Sequence, residues 1–259
     1  QGNFIIRNHN DSINALTISS TGTALFRSDQ GAGTVQVSTQ SSNSSNVGYG
    51  ALQVLQNSGG RAGYITMGDT TSFDGKDNLT ISAWVKFLDT SAQPILTKGE
   101  YNNASSSFSF EYEPSTSSGR LKFSVSNDRY DYLNSCSLAT DGSKWHHLAV
   151  TYSNTADETF FYIDGVKNTP TSGSGTYASI SDTSKNLLIG DEDGDSDFLK
   201  GYVCNTGVWS SVLTQPEIKS IMNKNYAGLT SSEKTNLVSW WNLSADANDS
   251  HGSNHGTLS

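Results

Sequence analysis

The sequence is expected to fold as an all-β protein, built as a two-sheet antiparallel sandwich or a barrel and carrying one short helix near residues 215–225. Three observations predict this. Short segments alternate apolar and polar residues, as Leu121, Phe123 and Val125 do with Lys122, Ser124 and Ser126, the period of a half-buried strand. Gly, Asn, Asp and Ser separate these segments, which is the pattern of many short strands joined by turns. Only one stretch carries the apolar spacing of a clear helix.

Taken in order, residues 1–45 form a polar stretch with one clear strand, Ala15-Leu-Thr-Ile-Ser19. A Gly-, Ser- and Thr-rich continuation ends in Ser41-Ser-Asn-Ser-Ser45. Residues 46–227 hold the dense strand pattern. Leu79–Phe87, Phe108–Tyr112, Trp145–Tyr152, Thr159–Ile163 and Asn186–Ile189 are rich in aromatic and β-branched residues, which suit a pleated, half-buried surface. Asp164-Gly165 signals a tight hairpin turn after a strand. Thr214-Gln-Pro-Glu217 reads as a capping box with proline in the first turn, and Ile218, Ile221 and Met222 follow as one apolar stripe. Thr230-Ser-Ser-Glu233 repeats the capping signal. Residues 228–259 hold Leu237-Val-Ser-Trp-Trp-Asn-Leu243 and a Gly-, Asn- and His-rich end. No fixed-period repeat is present.

Composition excludes several classes. Ser, Thr and Asn make up 89 of 259 residues, and no apolar run approaches the roughly 18–20 residues of a membrane span. The net charge of −9 repels phosphate backbones, so no nucleic-acid partner and no membrane insertion are expected. Cys136 and Cys204 have neither metal-knuckle nor CxxC spacing. They read as two buried thiols or, in an extracellular protein, one disulfide. No signal segment opens the sequence, and Gln1 reads as a processed end. Six Asn-x-Ser/Thr sequons are about what this composition yields by chance.

Five motifs in order carry a family resemblance across residues 46–227. They are Tyr64-Ile-Thr-Met-Gly68 with Leu79-Thr-Ile-Ser-Ala-Trp-Val85, and Trp145-His-His-Leu-Ala-Val-Thr-Tyr152. Phe161-Tyr-Ile-Asp-Gly-Val166 follows, then Leu188-Ile-Gly190, then Gly201 through Trp209 with Leu213 and Glu217-Ile218. Together they resemble the laminin G-like and pentraxin-like jelly rolls of the concanavalin A-like lectin/glucanase superfamily. The resemblance implies a two-sheet jelly roll. Trp84 and Trp145 are expected to fill the space between the sheets, and His146 and His147, consecutive on a strand, to face opposite ways. Asn236–Leu243 with Asp249-Ser250 and Gly252–Leu258 is similar to the segment that usually begins a laminin G-like unit. It either closes this jelly roll in permuted order or starts another. Ala15–Phe26 resembles pieces found upstream of such domains in phage tail-fibre proteins.

The resemblance admits glucanases, but retaining members carry Glu-x-Asp-x-x-Glu on one strand, and no such motif occurs. Glu111 and Glu113 share a strand face without a third carboxylate and are expected to be a solvated face. No nucleophile elbow, zinc-protease motif or phosphate loop is present. The expectation is therefore no enzyme, but a binding or adhesion module on an extracellular or virion surface, with a glycan or cell-surface receptor as partner. The alternative is a structural fibre or capsid-decoration protein, with residues 1–45 docking or driving homo-oligomers. Ligand-binding candidates are Tyr101, Asn127, Asp128, Tyr130 and Tyr132, aromatics beside amide and acid groups that suit sugar faces and hydroxyls.

One acidic run, Asp191-Glu-Asp-Gly-Asp-Ser-Asp197, concentrates carboxylates that repel unless solvated or bridged by a hard cation. It lacks the Gly and Glu positions of an EF-hand. The likeness to pentraxins implies a calcium site from Asp191, Glu192, Asp193, Asp195 and Asp197, completed by Asn102 and Asn103. Asn102 departs from that pattern in place of an acid, and the loop carries an extra Gly-Asp. Cys204-Asn205 stands where laminin G-like units carry Asp-Glu. The alternative is a solvated acidic loop.

Overall fold

The computed structural model describes residues 4–6, 16–18, 24–26, 52–54, 63–99, 106–114, 119–126, 128–192, 197–244 and 246–259. The chain divides into two compact units, Gln1–Ser45 and Asn46–Ser259. In the first, β1 (Phe4–Ile6), β2 (Leu16–Ile18) and β3 (Ala24–Phe26) form a three-stranded antiparallel sheet in chain order.

The second unit is a two-sheet jelly-roll sandwich. Its strands begin with β4 (Leu52–Val54), β5 (Ile65–Asp69), β6 (Asn78–Phe87), β7 (Gln93–Lys98), β8 (Phe108–Glu113), β9 (Arg120–Val125) and β10 (Arg129–Asn134). They continue with β11 (His146–Ser153), β12 (Glu158–Ile163), β13 (Val166–Asn168), β14 (Ser172–Gly175), β15 (Asn186–Ile189) and β16 (Gly201–Trp209). After the helix α1 (Gln215–Ile221) come β17 (Leu237–Trp241) and β18 (Thr257–Leu258). One sheet has eight strands in the order β14-β10-β9-β8-β7-β15-β5-β18. The other runs β13-β12-β11-β6-β16-β17, with β4 also pairing β16. The segment after residue 228 thus supplies a strand to each sheet.

Strand alternation builds the core. Ile81, Ala83, Val85 and Phe87 of β6, Phe108 and Phe110 of β8, and Leu121, Phe123 and Val125 of β9 are all fully buried in one cluster between the sheets. Across it, Phe123 packs on Tyr152 with ring centroids 5.5 Å apart and Phe110 on Phe161 at 6.4 Å, separations normal for packed aromatic rings. The hairpin at Asp164-Gly165 has φ of 50° and 77°, the left-handed pair that suits strand twist and that glycine adopts without strain.

A second apolar layer lies on the outer side of the seven-stranded sheet. Tyr162, Trp209, Leu213, Ile218, Ile221, Leu229, Leu237 and Trp240 are buried together there. The capping box forms, with the Glu217 carboxylate accepting from the Thr214 N–H at 2.7 Å, and α1 lays Ile218 and Ile221 onto the sheet. This layer corrects the expectation for Trp84. Its alternation with buried Ala83 and Val85 turns it outward, where Nε1 donates to the Met222 carbonyl at 2.7 Å. Trp145 is also half-buried rather than sealed between the sheets. Cys136 and Cys204 are both free, buried thiols.

Candidate functional site

The outer face of the eight-stranded sheet carries polar side chains where its inner face carries the core. Pairing register aligns Ser174, Tyr130, Ser124, Ser109 and Thr97 in one row across five strands. The next row holds Ser172, Tyr132, Lys122 and Glu111. Ser109, Lys122 and Ser124 alternate with core residues, so the period-2 rule sends them and the residues paired with them outward. Two candidate residues, Tyr130 and Tyr132, are therefore neighbours on one face of β10, both half-buried. The Arg120 guanidinium lies 4.2 Å above the Tyr132 ring and also pairs with Glu113.

Hooks on the inner side hold β10 in place. Asp131 is fully buried, binds Arg129, and accepts from Thr159 Oγ1 of the opposite sheet at 2.7 Å. Arg129 in turn stacks 4.2 Å over Tyr177. At the far end the Thr171 N–H donates to the Tyr132 carbonyl at 2.8 Å. A strand clamped from behind presents its outward tyrosines in a set geometry.

The expectation of a solvated face at Glu111 and Glu113 is overturned. Lys122 Nζ sits 2.9 Å from Glu111 and 3.1 Å from Glu113, with the lysine side chain fully buried and Glu111 nearly so. Burial pushes the Glu111 carboxyl up to about 7 against the attraction of Lys122, and the charges of Glu113 and Asp197 add to the rise. Burial opposes a charged Lys122, but Glu111 and Glu113 together raise it above its ordinary value. Two carboxylates beside Lys122 keep the lysine charged, and burial makes the Glu111 carboxyl readier to hold a proton than an ordinary glutamate. Lys122, Glu111 and Arg120 escaped sequence reasoning as site residues, because alternation shows their outward direction but not which strand lies opposite.

The base of the acidic loop reaches the same face. Asp191 and Glu192 are buried, Asp191 bridges to Phe198, and the Asp191 carbonyl accepts from Thr97 Oγ1 at 2.9 Å. The Asp191 carboxylate accepts from the Glu192 N–H at 2.8 Å. Asp197 is half-buried and near enough to raise Glu111. Asp128 is exposed in the turn that precedes β10. Tyr101, Asn102, Asn103, Asn127, Asp193 and Asp195 lie outside the described residues. Among the described residues no three His, Cys, Asp or Glu side chains converge to hold a metal ion, so those present do not by themselves make a calcium site. His146 and His147 are both buried and engaged, His146 with Asp164 at 3.1 Å and His147 with Ser82 at 2.8 Å.

Comparison with known proteins agrees with this architecture. The family described as the Concanavalin A-like lectin/glucanases superfamily matches residues 58–219. A heptameric SAP-like pentraxin from Limulus polyphemus superposes with a TM-score of 0.52 at 17% identity, over 66% of this chain and 79% of the pentraxin. A candidate carbohydrate binding protein from Bacteroides ovatus gives 0.57 at 16% identity, over 76% of this chain. The match spans 57% of the Bacteroides protein's length. At such identities the likeness shows the fold. No curated protein sequence matches the chain.

Proposed function

We propose a function from one premise: the chain belongs to the Concanavalin A-like lectin/glucanases superfamily. Its second unit is a non-catalytic binding module for glycans on an extracellular surface, and the outer face of the eight-stranded sheet is its binding face. The observation that carries this reading is the Tyr130–Tyr132 pair, clamped from behind by Asp131 and flanked by the exposed Ser172 and Ser174 and the half-buried Arg120. Aromatic faces pack on the C–H face of a pyranose, while hydroxyls and charged groups bind its hydroxyls. The Bacteroides protein, itself a candidate for carbohydrate binding, is consistent with this reading.

The test is a broad glycan screen with the full chain and with Tyr132→Ala. Binders retained by the wild type and lost by the variant are the expected result. A screen with no binder above background overturns the reading. So does a binder that Tyr132→Ala leaves untouched.

Calcium at loop 191–197 is a separate proposal, supported by the placement of Asp191, Glu192 and Asp197 beside the same face. Calcium at 100 times its dissociation constant stabilises the folded state by about 2.7 kcal/mol if it binds only that state. Equal melting temperatures in excess calcium and in chelator remove it.

A further inference from the structure

A second aromatic surface lies on the opposite sheet and takes no part in the face just described. On the outer side of the seven-stranded sheet, the register aligns Cys204, Trp84 and His147 in one row, and Tyr202 and Lys86 in the next. The helix layer roofs the first of these rows, where Trp84 binds Met222. It stops short of the second, and there Tyr202, Lys86 and the adjoining Trp145 are all half-exposed. The Trp145 and Tyr202 rings stand 6.1 Å apart at 55°, an open wedge rather than a stack. Lys86 Nζ lies over both, 4.6 Å from the Tyr202 centroid and 5.6 Å from that of Trp145.

Among the described residues Lys86 lies over two rings at once, whereas Lys167 and Lys234 each lie over one. The net charge is −9, yet among the described residues no carboxylate pairs with Lys86, whose contacts are the two rings. Several other lysines around the sandwich do have acids: Lys98 binds Asp69, Lys122 binds Glu111, Lys144 binds Asp164 and Lys200 binds Asp89. An ammonium held at an aromatic wedge with no counter-ion among the described residues is a half-built site for a molecule offering an apolar ring face and one carboxylate. The same net charge repels a polyanion. A glycan with a single acidic residue meets both conditions.

We propose that Trp145, Tyr202 and Lys86 form a second binding site, selective for a uronic acid residue carried on an otherwise neutral oligosaccharide. The rings take the C–H face of the sugar and Lys86 swings onto its carboxylate. The proposal does not rest on the Tyr130–Tyr132 reading, and its failure leaves that reading standing.

The test is calorimetric titration of the full chain with methylglucuronosyl-xylotriose and with xylotriose. The acidic oligosaccharide is expected to bind about tenfold or more tightly than the neutral one, the gain of one charge-assisted hydrogen bond. Lys86→Gln should erase that difference and Tyr202→Ala should weaken binding about tenfold. Tyr202→Phe, which keeps the ring and guards against a folding artefact, should bind as the wild type does. Raised salt should narrow the preference, since a half-exposed charge pair is screened. No saturable binding, equal affinity for the two oligosaccharides, or loss in Tyr132→Ala but not in Tyr202→Ala would each overturn the proposal.

Discussion

The outer faces of the two sheets are treated in opposite ways. On the seven-stranded sheet, Tyr162, Trp209 and Trp240 meet Ile218 and Ile221 of the helix, and the layer is sealed. On the eight-stranded sheet the equivalent positions are the buried Ser109, Glu111, Lys122 and Ser124 and the half-buried Tyr130 and Tyr132, and no described helix covers them. Both sheets share the same kind of inner face, so core packing does not explain the difference. It shows that one outer face is spent on stability, while the other carries charge and aromatic edges at a cost in desolvation.

The largest expected effect comes from breaking the sealed layer. Trp209 is fully buried, packs edge-on against Trp240 at 5.9 Å and donates Nε1 to the Glu233 carbonyl. Trp209→Ala should cost about 3–5 kcal/mol in denaturant unfolding. A loss under about 1 kcal/mol would mean that the helix layer is not part of the cooperative unit.

Next comes the buried cation of the polar face. Lys122→Met leaves Glu111 without its counter-charge and Glu113 with Arg120 alone, and should cost about 3 kcal/mol. The double variant Lys122→Met/Glu111→Leu should recover a substantial part of that, because the exposed debt is an unpaired charge and not lost packing. A double variant less stable than the single one contradicts the ion-pair account.

The two faces also differ in the sign of their response to pH. His147, beneath the helix layer, is fully buried, and burial lowers it to about 4 from its ordinary 6.5. The unfolded chain binds that proton first, so its contribution is complete above pH 6.5 and is lost as pH falls towards 4. Glu111 is raised from 4.5 to about 7, so the folded chain holds its proton longer. Its contribution is complete below pH 4.5 and declines as pH rises towards 7. The two slopes oppose each other between them. Unfolding measured across this range should show a steeper fall towards neutral pH in His147→Gln and a steeper fall towards acid in Glu111→Gln. Identical pH profiles for the wild type and both variants would remove the contrast.

The smallest stability effect belongs to the residue with the largest proposed role in binding. Tyr132→Ala removes a half-buried ring from a strand held by its neighbours, and should shift unfolding by less than about 1 kcal/mol. A larger loss would make Tyr132 a structural residue and weaken the binding reading.

How much of this was legible differs by element. The strand Leu121–Val125, the hairpin at Asp164-Gly165 and the helix start at Thr214 are local patterns, since period, turn dihedrals and capping involve residues a few positions apart. The sites are less legible. Tyr130 and Tyr132 were readable as candidates, yet β10 itself has a weak pattern, because Arg129 and Asp131 occupy inward positions as a buried ion pair. Glu111 looked solvated because its partner Lys122 lies on the next strand. Trp84 looked like core because a tryptophan inside an alternating strand announces burial but not the side from which burial comes.

The sequence by itself determined the all-β class, the order of its main strands, the helix and its cap, and the absence of a glucanase motif. Tertiary structure alone decided which strands are neighbours, and with that the Glu111–Lys122 pair, the helix roof over Trp84 and the placement of Lys86 over two rings. The physical reason is range. Alternation and capping are written within a few residues, whereas register across a sheet joins positions far apart in the chain, and it is register that turns an outward side chain into a site.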